Sequence, residues 1–281
     1  MLQYIQLSGC DNVVVYPRAL ANYTNQSLEA RVNGSGSIYI QEAAIKLNRL
    51  TLGVSGSGDI QFNVPETKLA SGLALTISGS GGIVFAATSL LANRIDSSVS
   101  GSGMMNVEVS NAINISSSVS TSISGSGLIN YSGASSSCDH HVIKVSGSGS
   151  IHAGALTCTD TKVSLFGSGD IFTSSKQSLD VSMSGSGFVF VVGLPPPTLS
   201  ESVTTVATDP VPRYLLIALP NHTASHMFQF GTGLLCVLAV VMVIVVAFLV
   251  RRFGRCCCRR HKDRSDMTAG PYGESATPIA Y

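Results

Sequence analysis

The chain of 281 residues contains no tryptophan, and charged residues make up only 12% of it, about half of the share that is usual in soluble domains. The first 230 residues hold 10 Lys and Arg against 13 Asp and Glu, a net charge of −3 (10 − 13). This region therefore has no basic surface, and we expect no nucleic-acid partner. Its short apolar runs also lack the spacing of a helix.

Glycine and serine are abundant instead, and they recur in a fixed motif. Eight copies of Gly-Ser-Gly follow one another, with steps of 22, 23, 22, 24, 22, 20 and 18 residues between their first glycines. A period of this length is typical of a solenoid, in which each repeat contacts only its neighbours. We assign a structural turn to each motif, formed by Gly34 and Gly36, Gly56 and Gly58, Gly79 and Gly81, Gly101 and Gly103, Gly125 and Gly127, Gly147 and Gly149, Gly167 and Gly169, and Gly185 and Gly187.

Apolar residues stand at even distances from the first glycine of each motif. Around Gly56, for example, Val54 lies two residues before the glycine and Ile60 four residues after it. Even spacing is the period of a strand with one buried face. Because no helical segment separates these strands, the sequence predicts an all-β fold, a right-handed parallel β-helix of about eight or nine coils. The residues around Gly9 would form a degenerate coil at the N-terminus.

Both glycines of each motif fall on inward positions, where a side chain would crowd the bend or where the backbone needs a positive φ. The serine between them faces outward. We expect the stacked serine hydroxyls, about 4.8 Å apart, to hydrogen-bond along the axis.

The repeated Gly-Ser-Gly-x-Ile pattern, seen at Gly56–Ile60 and at Gly167–Ile171, resembles the head domain of auto-transporter adhesins, also called the GIN domain. The resemblance covers roughly residues 1–192. It implies a Gly- and Ser-rich parallel β-helix on the cell envelope with an adhesive or surface role. It does not imply a particular ligand.

The residues Gly231–Val250 form an apolar run of twenty residues without a charge. A helix of this length spans about 30 Å, the thickness of the hydrocarbon core of a bilayer. Residues 251–281 hold 7 Lys and Arg against 3 Asp and Glu, a net charge of +4 (7 − 3). This charge predicts a single-pass protein of the plasma membrane with its N-terminus outside and its C-terminus cytoplasmic. Because no leader is visible after Met1, we expect one upstream.

These observations predict four parts: a β-helix ectodomain (1–192), a Pro-, Ser- and Thr-rich stalk (193–230), a transmembrane helix (231–250) and a basic cytoplasmic tail (251–281). Proline-rich composition favours an extended stalk. The apolar residues 214–219 within it are either a last strand or a membrane-proximal contact.

The cysteines divide between the predicted compartments. Cys138 and Cys158 each lie nine residues before the first glycine of their coil, so stacking brings them within disulfide distance on adjacent coils. We predict a Cys138–Cys158 disulfide, with two free core thiols as the alternative; Cys10 is left over. S-palmitoylation is predicted next to the membrane helix, with an unmodified cluster as the alternative, at Cys256, Cys257 and Cys258.

Six Asn-x-Ser/Thr sequons occur, and on an exported chain some carry glycans. We expect glycosylation at Asn22, Asn25 and Asn221. Asn33 abuts a bend and Asn130 lies within a strand, so access to both is poor.

Catalysis needs carboxylates or bases that converge within about 5–10 Å. Asp59 and Asp170 share a column but lie five coils apart, so they are not a pair. Asp139, His140, His141 and His152 fall on neighbouring coils, but His141 is on an inward column and the set has no recognised metal spacing. We therefore predict no catalytic residue, no metal and no cofactor; a β-helical carbohydrate-active enzyme is the least favoured function.

The favoured function is adhesion or surface recognition by a non-catalytic β-helix, with an unknown extracellular protein or glycan as partner and membrane lipid beside the tail. The alternative is a signalling or scaffolding receptor. Its tail ends in Ile279-Ala280-Tyr281, a terminus that could enter a PDZ-type groove. A third class, a glycosaminoglycan-bearing core protein, is suggested by Ser57 and Ser168 before Gly-Asp.

Overall fold

The computed structural model covers the whole chain and describes residues 3–20, 25–133, 136–200 and 203–211. These residues form sixteen strands and no helix. The strands are β1 (Tyr4–Leu7), β2 (Asn12–Val15), β3 (Ser27–Val32), β4 (Ser37–Gln41), β5 (Ala44–Gly56), β6 (Asp59–Asn63), β7 (Glu66–Gly79), β8 (Gly82–Gly101), β9 (Met104–Gly125), β10 (Leu128–Gly133), β11 (Ser136–Gly147), β12 (Ser150–Gly167), β13 (Asp170–Gly185), β14 (Phe188–Val192), β15 (Thr198–Leu199) and β16 (Thr204–Val206).

The strands stack as a parallel β-solenoid of about nine turns. Equivalent glycines pair in register from coil to coil, as Gly125 with Gly147 and Gly147 with Gly167. The N-terminal residues form the first coil, because β1 pairs with β3 and β2 with β4. The predicted all-β fold with parallel coils is thus confirmed, whereas its right-handed sense stays a prediction.

The core is a set of stacked columns inside the solenoid. One column consists of the residues four positions after the first glycine of each motif, and a second column consists of the residues six positions after it. Both columns are buried along the described coils. Phe62 and Phe85 stack within the second column, with ring centroids 5.1 Å apart. Burying a side chain of this kind contributes about 1.5–3 kcal/mol, so the stacked interior accounts for much of the stability.

The Gly-Ser-Gly corner requires glycine for two different reasons. Gly147 has a φ of 125°, which L side chains rarely adopt. At Gly149 a Cβ atom would come within 2.6 Å of the carbonyl oxygen of Gly127 in the preceding coil. The stacked coils therefore approach too closely at this point for any side chain.

Hydrogen bonds along the corner come from the backbone. The amides of Ser148 and Gly149 both donate to the carbonyl of Gly125, at 3.0 Å each. The motif serines are exposed, as predicted. No hydrogen bond joins the hydroxyls of two motif serines in the described coils, so the expected ladder of serine hydroxyls is wrong there. Backbone amides make the bonds that link this column.

The solenoid extends past residue 192, where we expected the stalk to begin. β15 pairs with β13, and β16 pairs with β14. Because this segment is rich in proline, its composition did not predict the two short threonine-containing strands that it forms. No helix in the described part of the chain is long and apolar enough to cross a membrane. The predicted membrane helix (231–250) and the tail (251–281) lie outside the described residues.

Candidate recognition surface and its surroundings

Outward positions on the long strands carry mostly hydroxyl groups. Thr76, Ser98 and Ser122 occupy one outward position in three successive coils, in register. The hydroxyl of Ser122 donates to that of Ser98 over 3.2 Å. This side of the solenoid is therefore a polar sheet that offers hydrogen-bond donors and acceptors at regular intervals.

A groove of about 340 Å³ opens at the N-terminal end of the same sheet. Gly53 lacks a side chain between Arg31 in the coil before and Thr76 in the coil after, its register neighbours. The three residues line the groove together with Asn33 and Ser55. The groove is of the size that small-ligand sites have, and its rim is built of hydroxyl, amide and guanidinium groups.

Charges beside the groove are paired with one another. Arg31 forms an ion pair with Glu29. Asp96 accepts a hydrogen bond from Arg94 at 2.7 Å and lies 3.8 Å from Arg49. Since these side chains are between 32% and 53% exposed, each pair contributes little to stability. The surroundings of the groove therefore have no large excess of either charge.

A polar network lies inside the otherwise apolar core. The hydroxyl of Tyr131 donates to Ser97 at 2.7 Å and lies 3.1 Å from the hydroxyl of Thr121. Thr121 in turn contacts Nε2 of His141 at 3.0 Å. Burial raises the pKa of Tyr131 to about 12, although the hydrogen bonds to Ser97 and Thr121 lower it. Burial lowers the pKa of His141 to about 3, so both groups are neutral at pH 7.

The sequence placed Tyr131 and His141 on inward columns but did not bring them together. The sequence signal that could have located the network is the presence of polar side chains, such as Thr121, on columns that are otherwise apolar. Nδ1 of His141 and the hydroxyl of Thr161, its register neighbour, are buried without a hydrogen-bond partner. The network is closed to solvent, so it stabilises a specific packing of the core rather than presenting a reactive group.

The other members of the histidine and aspartate set face elsewhere. Asp139 and His140 are exposed, with His140 Nδ1 at 3.6 Å from Asp160. His152 lies on a different side of the solenoid. Among the described residues, no group of three or more His, Cys, Asp or Glu is placed to hold a metal ion.

His152 anchors the segment that follows β16. Its Nδ1 lies 2.6 Å from Asp209, whose other carboxylate oxygen accepts the backbone amide of Gly154 at 2.9 Å. The ring of His152 stacks on Phe172, which stacks on Phe190, at 4.8 and 4.7 Å. Asp209 lies within the predicted stalk, and no sequence pattern connects it with His152.

Asp59 and Asp170 are five register steps apart along one outward column. This agrees with the sequence expectation that they do not form a catalytic pair. Burial raises the pKa of Asp59, while a hydrogen bond from the Gly82 backbone lowers it.

Cys138 and Cys158 lie opposite each other in register between β11 and β12. Their Cα atoms are 4.5 Å apart, and a disulfide joins them. Cys10 is free and exposed. The candidates for lipidation, Cys256, Cys257 and Cys258, lie outside the described residues.

Among the predicted glycosylation sites, Asn25 is exposed, whereas Asn22 and Asn221 lie outside the described residues. Asn33 is exposed at the groove. Asn130 is fully buried, so a glycan could not be attached there in the folded protein.

Comparison with known proteins identifies a family for part of the solenoid. Residues 116–195 match the model of the family described as "Putative auto-transporter adhesin, head GIN domain". This confirms the resemblance for a segment that contains four of the eight Gly-Ser-Gly motifs. No curated protein and no solved structure matches the chain significantly. The family match suggests a surface adhesion role and favours a non-enzymatic one.

Proposed function

We propose, from the match of residues 116–195 to the adhesin head domain, that the chain is a single-pass membrane protein that displays its β-solenoid outside the cell for adhesion or recognition. The match is the observation that carries the proposal. The apolar run at 231–250 and the basic tail after it support membrane attachment with the solenoid outside and the C-terminus cytoplasmic.

The polar outer sheet supports a role in recognition. Its hydroxyls are held by a stacked backbone, so a ligand that binds them need not order the protein first. The groove at Gly53 adds a concave site bordered by hydrogen-bonding groups. We propose that an extracellular glycan or protein binds there. Membrane lipid is the second partner, held by the basic tail and by acylation of the cysteine cluster 256–258.

A matched pair of substitutions on one outward column tests the groove. In Gly53→Gln, a side chain fills the groove without strain, because a Cβ atom there would lie 3.6 Å from its nearest neighbour, Arg31 Cγ. Ser122→Gln places the same side chain three coils away on the same column. The purified full chain in detergent would be screened against an array of glycans and extracellular proteins.

We expect one class of array ligand to bind the wild-type chain and Ser122→Gln but not Gly53→Gln. Equal binding by both variants would exclude the groove as the recognition site. A wild-type chain that is folded and binds nothing on a broad array would count against the recognition function itself.

A further inference from the structure

The C-terminal end of the described solenoid leaves one side uncovered. β15 pairs with Ser178 and Leu179, and β16 pairs with Phe190–Val192. In the described part of the chain, these two strands leave residues 181–187, which we call the open edge, without a paired strand on this side. No described strand pairs with the open edge on its C-terminal side.

Exposed apolar side chains lie on the open edge and next to it. Met183 lies on an inward column and is 39% exposed, whereas Val145 and Leu165 on the same column are each 1% exposed. Phe166, the register neighbour of Ser184, is 55% exposed, and Phe188 is 57% exposed. Native proteins usually protect a free strand edge, and exposed apolar side chains on or beside such an edge favour an interaction surface.

Backbone groups of the open edge point away from the solenoid. In the preceding coil, the carbonyl of Gly167 accepts the amides of Ser186 and Gly187, at 3.0 and 3.1 Å. Gly185 takes the place of Gly167 in the last coil, so its carbonyl faces the open end. The amide of Val181 also faces this end, where it donates to the Ser200 hydroxyl at 2.7 Å. The backbone groups of Met183 and Gly185 therefore face an added strand, whereas the amide of Val181 is already bonded to Ser200.

The N-terminal end of the solenoid cannot stack on the open edge of a second copy. Asp11 stands where the later coils have the second glycine of the motif. At the equivalent Gly149, a Cβ atom would lie 2.6 Å from the carbonyl of the preceding coil. A second copy therefore cannot stack its Gly185-Ser186-Gly187 corner on Asp11, and head-to-tail association is blocked.

We propose that the open edge pairs with the open edge of a second copy of this chain, antiparallel about a two-fold axis at Ser184. In this register Met183 of each copy faces Gly185 of the other, so a large side chain meets a small one. Residues 181–200 contain no charge, so the two edges meet without like-charge repulsion. The same surface serves both copies, as a two-fold interface requires.

The pairing is weak unless the copies share a membrane. Seven residues at about 3.3 Å each make an edge of about 23 Å, and such an edge buries far less than the roughly 800 Å² per copy of a standard interface. Tethering both chains to one bilayer raises their effective concentration. In this respect the inference rests on the proposed membrane display.

Cysteine cross-linking of the full chain on cells tests the pairing. The amide and carbonyl of an outward residue such as Ser184 bond to the preceding coil and therefore do not face the second copy. Ser184 and its symmetry mate would thus form a non-hydrogen-bonded pair with Cα atoms about 4.5 Å apart. This distance suits a disulfide. Ser184→Cys would be compared with Ser146→Cys, an exposed position two coils earlier on the same column. Both would carry serine in place of the other cysteines outside the disulfide, Cys10, Cys236, Cys256, Cys257 and Cys258, and a mild oxidant would be added.

We expect a product of twice the monomer mass from Ser184→Cys and none from Ser146→Cys. Adding Met183→Asp to Ser184→Cys should abolish the product, while leaving the solenoid folded because Met183 is partly exposed. No product, an equal product from both cysteines, or a product with another protein would overturn the inference. Surface biotinylation separates the two proposals: a chain absent from the surface contradicts the display, whereas a displayed chain without the dimer contradicts only the pairing.

Discussion

Stability should fall in mild acid because His141 is held neutral inside the core. Burial lowers its pKa to about 3 in the folded protein, from an ordinary value of 6.5. Below pH 6.5 the unfolded chain therefore binds a proton that the folded chain does not, and folding loses stability as the pH falls toward 3. Between pH 7.5 and pH 5 the loss is about 1.36 × (6.5 − 5), or about 2 kcal/mol.

Urea denaturation of the wild type and of His141→Gln at both pH values measures this loss. The free energy of unfolding of the wild type should fall between pH 7.5 and pH 5, and this fall should be about 2 kcal/mol smaller in His141→Gln. His140→Gln is the matched control, because His140 is the preceding residue and its side chain is exposed. An unchanged pH dependence in His141→Gln, or an equal change in His140→Gln, would refute the assignment.

Three further predictions concern the core and the corner. Gly149→Ala should lower the free energy of unfolding by about 1–3 kcal/mol or more, since the new Cβ atom clashes with the preceding coil. The control Gly53→Ala should change the free energy of unfolding by less than about 1 kcal/mol. Equal urea midpoints for the two variants would be inconsistent with close stacking at the corner. Tyr131→Phe should cost about 1–3 kcal/mol, because it leaves the buried hydroxyl of Ser97 without its hydrogen-bond partner and leaves Thr121 with His141 alone. A neutral result in the same assay would count against the network. Non-reducing peptide mapping should recover Cys138 and Cys158 in one linked pair of peptides and Cys10 as an alkylated thiol, and recovery of all three as alkylated thiols would contradict the disulfide.

The solenoid could be predicted because each coil repeats the same physical constraints. Even spacing of residues such as Val54 and Ile60 fixes which face is buried, and a shift of one residue would turn every apolar side chain outward. The register of the coils then follows from the glycines, which stack because a side chain cannot fit between them. The cysteine pair follows from the same register, since Cys138 and Cys158 lie at equal distances from their glycines.

Contacts between unlike positions could not be predicted in this way. The Tyr131 hydroxyl crosses the interior to Ser97, 34 residues earlier, and Asp209 reaches His152 across 57 residues. Neither contact joins equivalent positions of two coils, so periodicity contains no sign of it. The groove forms because Gly53 has no side chain between Arg31 and Thr76. A single glycine in the sequence does not predict a groove until its neighbours on the adjacent coils are known.

Adhesion of cells that display the full chain tests the central claim most directly. Cells in suspension would be scored for attachment to one another and to immobilised extracellular glycans and proteins, before and after protease treatment of intact cells, with surface labelling to verify display. Attachment that disappears when the solenoid is removed is the result that we predict. Cells that carry the folded chain on their surface and attach to nothing would contradict the claim.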